Sequence, residues 1–311
     1  AELLWQEVLS TAKSALRKRP DDALALRCVA RALLSTGGDA AEIREYACRA
    51  SEHGDEAVGF TLGYELHAYL GAAHERERDL AGAERHFAAA LSSKPGDETA
   101  MLGLVRALAQ RRDTARARQL CEQVVASNPS CAEGHLRLAE IALEAGDPSD
   151  AYRCALKASK LAPADAAALL CLGQVCAKTG RGEEAVRALE QGLALQPTDA
   201  AAMQALAGLH RKAGRDQEAI GWYKRLLEVR PGDYECSLSL AQLHASKGAV
   251  GASQALQHFR GALQCRPSPK EARDICAQMA AVQGGIGAWK DAQQTLEAAL
   301  REHPEDVELW Q

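Results

Sequence analysis

The sequence is poor in several features that would settle its class at once. Aromatic residues make up 4% of the 311, and asparagine occurs once, at Asn128. So little ring bulk argues against a core of large side chains and favours helices that approach closely through alanine. The longest apolar run, residues 166–177, is broken by Gly173 and Gln174 and is too short to span a bilayer. The opening "AELLWQEVLS" has no basic segment ahead of an apolar one, so no targeting segment is visible. The formal charge of −5 leaves no basic field of the kind that attracts phosphate backbones, which makes nucleic acid a poor candidate partner. The basic run "RRDTARAR", residues 111–118, reads as solvated charge at a turn and helix start.

Catalytic signatures are missing as well. No GxxxxGK[ST], HExxH, GxSxG or kinase-type motif occurs, so the chain lacks the patterns that supply a phosphate cradle, a catalytic zinc or a nucleophile elbow. It is read as a non-enzyme with no cofactor and no metal. The ten cysteines contain no CxxC pair and no histidine partners at zinc-ligand spacing. They read as reduced core residues, which implies a reducing intracellular compartment such as the cytoplasm.

What the sequence does have is a period. "GRGEEAVRALEQGLALQP" at 180–197 returns 34 residues later as "GRDQEAIGWYKRLLEVRP", and Pro95, Pro129, Pro163, Pro197 and Pro231 mark the same beat. Each unit reads as two helices. The first carries apolar or packing residues at its fourth, seventh and eleventh places, as in Leu169, Leu172 and Cys176. A small residue follows the seventh (Gly71, Ala139, Gly173, Ala207, Ala241), where a larger one would hold the two helices apart. Gly146, Gly180, Gly214, Gly248 and Gly287 end the first helix, since glycine enters a left-handed cap without steric penalty. The second helix packs through Ala83, Ala117, Ala151, Ala185, Ala219, Ala255 and Ala292, each followed four places on by a second packing residue such as Phe87, Leu189, Tyr223 or Phe259. The closing proline stops it.

With Leu70, Gly71, Ala83, Phe87, Ala90 and Pro95 in one unit, the chain resembles the tetratricopeptide repeat family. The resemblance implies an all-α, right-handed superhelical solenoid of antiparallel helix pairs. The expected array runs from 1 to 311: a half-repeat at 1–20, an irregular repeat at 21–63, regular repeats at 64–97, 98–131, 132–165, 166–199 and 200–233, repeats with insertions at 234–269 and 270–306, and the start of another at 307–311. The segments "SEHGDEAVGFTLGY" (51–64), "KGAVGASQ" (247–254) and "QGGIG" (283–287) are expected at insertions or lengthened turns. The two ends read as cut from a longer solenoid, with apolar faces expected near Leu3, Trp5 and Val8 and near Val307 and Trp310. His67, His74, His135, His210 and His244 fall at fourth or eleventh places, where the family has packing aromatics, and are read as packing residues.

The resemblance also implies a partner-binding groove lined by the first helices. Its expected residues are Leu102, Arg106, Leu136, Arg137, Glu140, Leu170, Gln174, Gln204, Arg211, Lys212, Leu238 and Gln242, with Gly103, Cys171, Gly208 and Ser239 at matching places. Contacts are expected to centre on 98–246. The paired Lys and Asn of carboxylate-gripping clamps are missing, since Ala68, Ala72 and Gly103 stand there, and a single Asn rules out an asparagine ladder. The reading is a non-catalytic scaffold that binds helices or extended segments of protein partners in a multisubunit complex, without membrane insertion. The alternatives are a substrate-docking array of an enzyme whose catalytic domain lies elsewhere, and an RNA-binding array, which the charge disfavours.

Overall fold

A computed structural model describes residues 2–53, 59–265 and 267–302; Pro304, Val307 and Trp310 and the side chain of Leu3 lie outside the described residues. Among those residues there are 17 α-helices, one short 3₁₀ helix and no strand. They form two compact units, residues 1–163 and 164–311.

In unit 1 the helices are α1 (Glu2–Lys18), α2 (Ala23–Thr36), α3 (Ala40–Glu52), α4 (Gly59–Arg76), α5 (Leu80–Ser93), α6 (Glu98–Gln110), α7 (Thr114–Ser127), α8 (Ala132–Glu144) and α9 (Pro148–Leu161). Unit 2 holds α10 (Ala166–Lys178), α11 (Gly182–Leu195), α12 (Ala200–Lys212), α13 (Asp216–Val229), α14 (Tyr234–Ala245), α15 (Ala252–Gln264), α16 (Pro269–Gly285) and α17 (Trp289–Glu302). Short turns join each even-numbered helix A to the helix B after it, so neighbours run antiparallel. Helix A also touches the next helix A, in α2–α4, α4–α6 and α6–α8 of unit 1 and in α10–α12 of unit 2.

The small-residue rule holds at the contact between A and B. Ala83, Ala117, Ala151, Ala185, Ala219 and Ala255 are fully buried, and Ala292 nearly so. A Cβ on Gly173 would stand 2.5 Å from Leu189 Cγ, and one on Gly71 would stand 2.9 Å from the Phe87 ring. Both glycines therefore let a large B-helix side chain reach the A-helix backbone.

Between A and B one residue is left-handed. Gly146, Gly180, Gly214 and Gly248 have φ of 76°, 78°, 71° and 64°, while Arg78 and Arg112 take the same place at 60° and 62°. Helix starts carry a signal too. Asp97, Asp165, Asp199 and Asp233 accept the backbone N–H of Ala100, Ala167, Ala202 and Cys236 at 2.7–3.1 Å. Cys131 substitutes in this series, its Sγ accepting from Gly134 N at 3.2 Å. Asp79, Asp113 and Asp147 cap α5, α7 and α9, whereas Arg181 and Arg215 stand at the corresponding places before α11 and α13 and make no side-chain cap bond.

The inserted segments resolve in three ways. Residues 54–58 lie outside the described residues, and 59–64 begin α4. Gly248–Val250 forms the 3₁₀ turn before α15, as a lengthened turn requires. "QGGIG" spans the end of α16 and the turn after it: residues 283–285 are still helical, α16 starting at Pro269 behind a Ser268–Glu271 capping box, and Gly287 is left-handed at φ 77°.

Candidate functional site

The row of A helices is the surface on which the expected groove residues lie. In unit 1 its polar residues are bound to one another across helices. Arg106 on α6 donates from Nε to Glu75 Oε1 on α4 at 2.8 Å, from Nη2 to Glu75 Oε2 at 3.2 Å, and from Nη1 to Glu133 Oε1 on α8 at 2.8 Å. Burial opposes the Arg106 charge, but Glu75 and Glu133 outweigh it and hold the guanidinium above its ordinary pKa. Arg137 continues the chain, 3.7 Å from Glu133 and donating to Glu140 at 2.7 Å. Arg76 is tied to backbone, donating to Gly38 O at 3.1 Å and Leu34 O at 2.8 Å. Beside these pairs lies a hollow of about 500 Å³, lined by Ala68, Tyr69, Ala72 and Phe87 together with Glu75, Arg76 and Arg106. Burial, with the Glu65 charge added, pushes the Tyr69 hydroxyl up to about 12, so it is neutral.

In unit 2 the same row is linked by amides. Arg211 on α12 donates to Gln242 Oε1 on α14 at 3.3 Å, and Gln242 Nε2 donates to Gln278 Oε1 on α16 at 3.2 Å. Gln204 Nε2 donates to Glu235 Oε2 at 2.8 Å. Arg211 and Lys212 are exposed, and neither has a carboxylate partner among the described residues. Gln174 is half-buried.

The expected leucines are placed differently from the polar residues. Leu102, Leu136 and Leu170 are only 5%, 3% and 5% exposed. Leu102 packs with Val124 and Cys131, and Leu170 lies so close to Gly192 that no side chain fits there. Leu238 is partly buried against the cluster around Phe259 and Met279. These four fill space within their units. The sequence pattern had not singled out Glu75, Glu133, Glu235 or Gln278, the partners that close the inter-helix links; their 27- to 36-residue separations from Arg106, Gln204 and Gln242 are the signal that finds them.

The basic run at 111–118 is not simply solvated, which corrects the sequence reading. Arg111 and Arg116 of the α6–α7 region both pair with Glu84 on α5, and Arg118 donates to Asp150 on α9 at 2.9 Å, so the run ties neighbouring B helices together. The reading of the cysteines as core residues holds in part: Cys121, Cys131, Cys154, Cys171, Cys176 and Cys236 are buried, but Cys28, Cys265 and Cys276 are half-buried and Cys48 is exposed. Burial pushes the Cys121 and Cys236 thiols up to about 12 and that of Cys176 to about 11. His135, His210 and His244 are each 4% exposed, as packing residues should be. Among the described residues no cluster of His, Cys, Asp and Glu could hold a metal ion, and no helix is long and apolar enough to cross a membrane.

Comparison with known proteins supplies the family. Tetratricopeptide repeat models match residues 76–141, 108–170 and 164–231, together half of the chain. A search of curated proteins returns no match. Among solved structures, the chain is similar to one from the "APC/C hetero-tetramer Cut9-Hcn1", with 17% identity over 87% of this chain and 52% of that one and a TM-score of 0.64. A tetratricopeptide repeat protein from Parabacteroides merdae aligns over 84% of this chain and 98% of its own, at 14% identity and a TM-score of 0.54. YrrB, described as "a TPR protein with an unusual peptide-binding site", aligns over 58% and 93%, at 18% identity and a TM-score of 0.51. At these identities the structures speak for the fold, and the sequence models speak for the family. The chain belongs to the tetratricopeptide repeat family, with an all-α, tetratricopeptide-like solenoid fold.

Proposed function

We propose that the chain is a non-catalytic scaffold that binds helices or extended segments of protein partners on its A-helix rows, within a multisubunit intracellular assembly. The observation behind this reading is the hollow lined by Ala68 and Ala72, beside which Arg106 and Glu75 already pair and Arg76 is held by backbone carbonyls. Such a site can accept an apolar side chain of a partner without stranding a buried charge. In unit 2, Arg211 and Lys212 leave cations available to steer and orient an acidic or carbonyl-rich stretch. Because Leu102, Leu136 and Leu170 are already buried, their part is to hold the rows in place, and the contacts fall to Ala68, Ala72, Gln174, Gln204, Arg211, Lys212 and Gln242. The solved relatives described as a hetero-tetramer and as a peptide-binding protein are compatible company for this reading.

The test is site-specific photo-crosslinking in cells. A benzophenone side chain at Ala68 or Gln204 on the A row, and at the exposed Arg187 or Lys224 on the B helices, should give partner adducts from the first pair and few from the second. Adducts confined to Arg187 and Lys224 would move the interface to the B helices.

A further inference from the structure

We propose that two repeats, one in each unit, are acid-opening joints: a proton taken up by the stacked imidazoles His74–His86 or His244–His258 parts helix A from helix B there. The two pairs occupy the same register. His74 and His244 are each the eleventh residue of their repeat, and His86 and His258 each precede the buried phenylalanine of helix B, Phe87 or Phe259. In unit 1 the His74 and His86 rings stack at 5.2 Å and 13°, and the His67 ring also stacks on His86 at 5.4 Å and 28°, with the Nδ1 atoms of His67 and His86 3.1 Å apart. In unit 2 the His244 and His258 rings stack at 5.5 Å and 15°. Two separate pairs with one geometry, placed where helix A meets helix B, make this a repeated feature of the fold.

The surroundings favour the neutral rings. Neither nitrogen of His244 has a hydrogen-bond partner among the described residues, so a proton there would leave buried donors without acceptors. The charged groups acting on this pair are Lys247, next to the turn, and Lys224 on α13, both cationic. Burial first, then these charges, holds His244 and His258 below the ordinary histidine value of 6.5. For His86 burial is again the main cause, followed by His74, His67 and Arg85, with Asp79 opposing. His74 Nδ1 lies 3.0 Å from Asp79, the cap of α5, so unit 1 keeps a carboxylate near its pair, whereas among the described residues no carboxylate acts on the pair in unit 2. The sign follows: groups whose pKa is depressed on folding add stability above the unfolded value near 6.5, and that stability is lost as pH falls below it. The α14–α15 repeat therefore opens at least as readily as α4–α5.

Each unit contains its own control, because α6–α7 and α10–α11 contain no histidine. Hydrogen exchange at about pH 7.5 and about pH 5.5, corrected for intrinsic rates, should show protection falling about tenfold or more in α14–α15 and α4–α5 relative to those controls. His210 and His135, buried singly, should give intermediate changes in α12 and α8. H86F and H258F, which stack but cannot titrate, should abolish the excess loss in their own repeat only. Should these larger rings disturb folding at neutral pH, H86Q and H258Q bear the same prediction. An equal loss in the control helices, an acid response unchanged in the variants, or NMR titrations of His86, His244 and His258 at or above 6.5 in the unaltered protein would each overturn the proposal.

Discussion

The two units have the same helical architecture and differ in how they use charge. In unit 1 arginine–carboxylate pairs link A helix to A helix through Arg106 and B helix to B helix through Arg116 and Arg118, and aspartates cap α5, α7 and α9. In unit 2 the A-helix links pass through Gln242, Gln278 and Gln204, and arginine replaces aspartate ahead of α11 and α13. Alanine and glycine at the A–B contact are common to both. Packing therefore defines the repeat, and the polar positions are free to make one unit's face self-satisfied while the other keeps cations exposed.

The largest effect should come from breaking what the units share. Ala117→Asp in unit 1 and Ala219→Asp in unit 2 each place a charge at a fully buried helix contact, and each should cost on the order of 3 kcal/mol or more in urea unfolding. A small loss at either site would show that the packing is not common after all. Next comes the charge contrast itself. Arg106→Ala leaves Glu75, whose side chain is 15% exposed, without its partner and should cost about 1–3 kcal/mol, while Arg211→Ala should cost less than about 0.5 kcal/mol. Caps sharpen the comparison in the opposite direction: Asp113→Ala should lose, and Arg215→Asp should gain, about 1 kcal/mol of stability in thermal melts. The smallest change is Arg112→Gly, which relieves a left-handed arginine and should raise stability by about 0.5 kcal/mol, the gain being offset in part by the freer unfolded chain.

How much of this the sequence disclosed depends on how local the cause is. The glycine at the end of helix A, the buried alanine of helix B and the proline beat each act through one residue's shape, so a 34-residue period reveals them directly. The Asp97–Cys131–Asp165–Asp199–Asp233 cap series was equally periodic but passes unnoticed when the eye follows apolar residues. For the leucines expected in the groove, the sequence discloses a place on helix A but not the accessibility. Leu102, Leu136 and Leu170 sit at the expected places on helix A, yet whether a leucine there meets solvent depends on side chains of neighbouring helices, such as Val124 of its own repeat and, for the cluster around Leu102, Leu91 of the repeat before. The inter-helix partners of Arg106 and Gln242 are one repeat away, so the pairing emerges only when neighbouring repeats are set side by side in space.

The contrast between the units reduces to two couplings, and a pair of double-mutant cycles in urea measures both. One cycle takes Arg106→Ala and Glu75→Gln, singly and together; the other takes Arg211→Ala and Gln242→Ala. The account predicts a coupling of about 1 kcal/mol or more in unit 1 and below about 0.5 kcal/mol in unit 2. Equal couplings, or a larger one between Arg211 and Gln242, would contradict it.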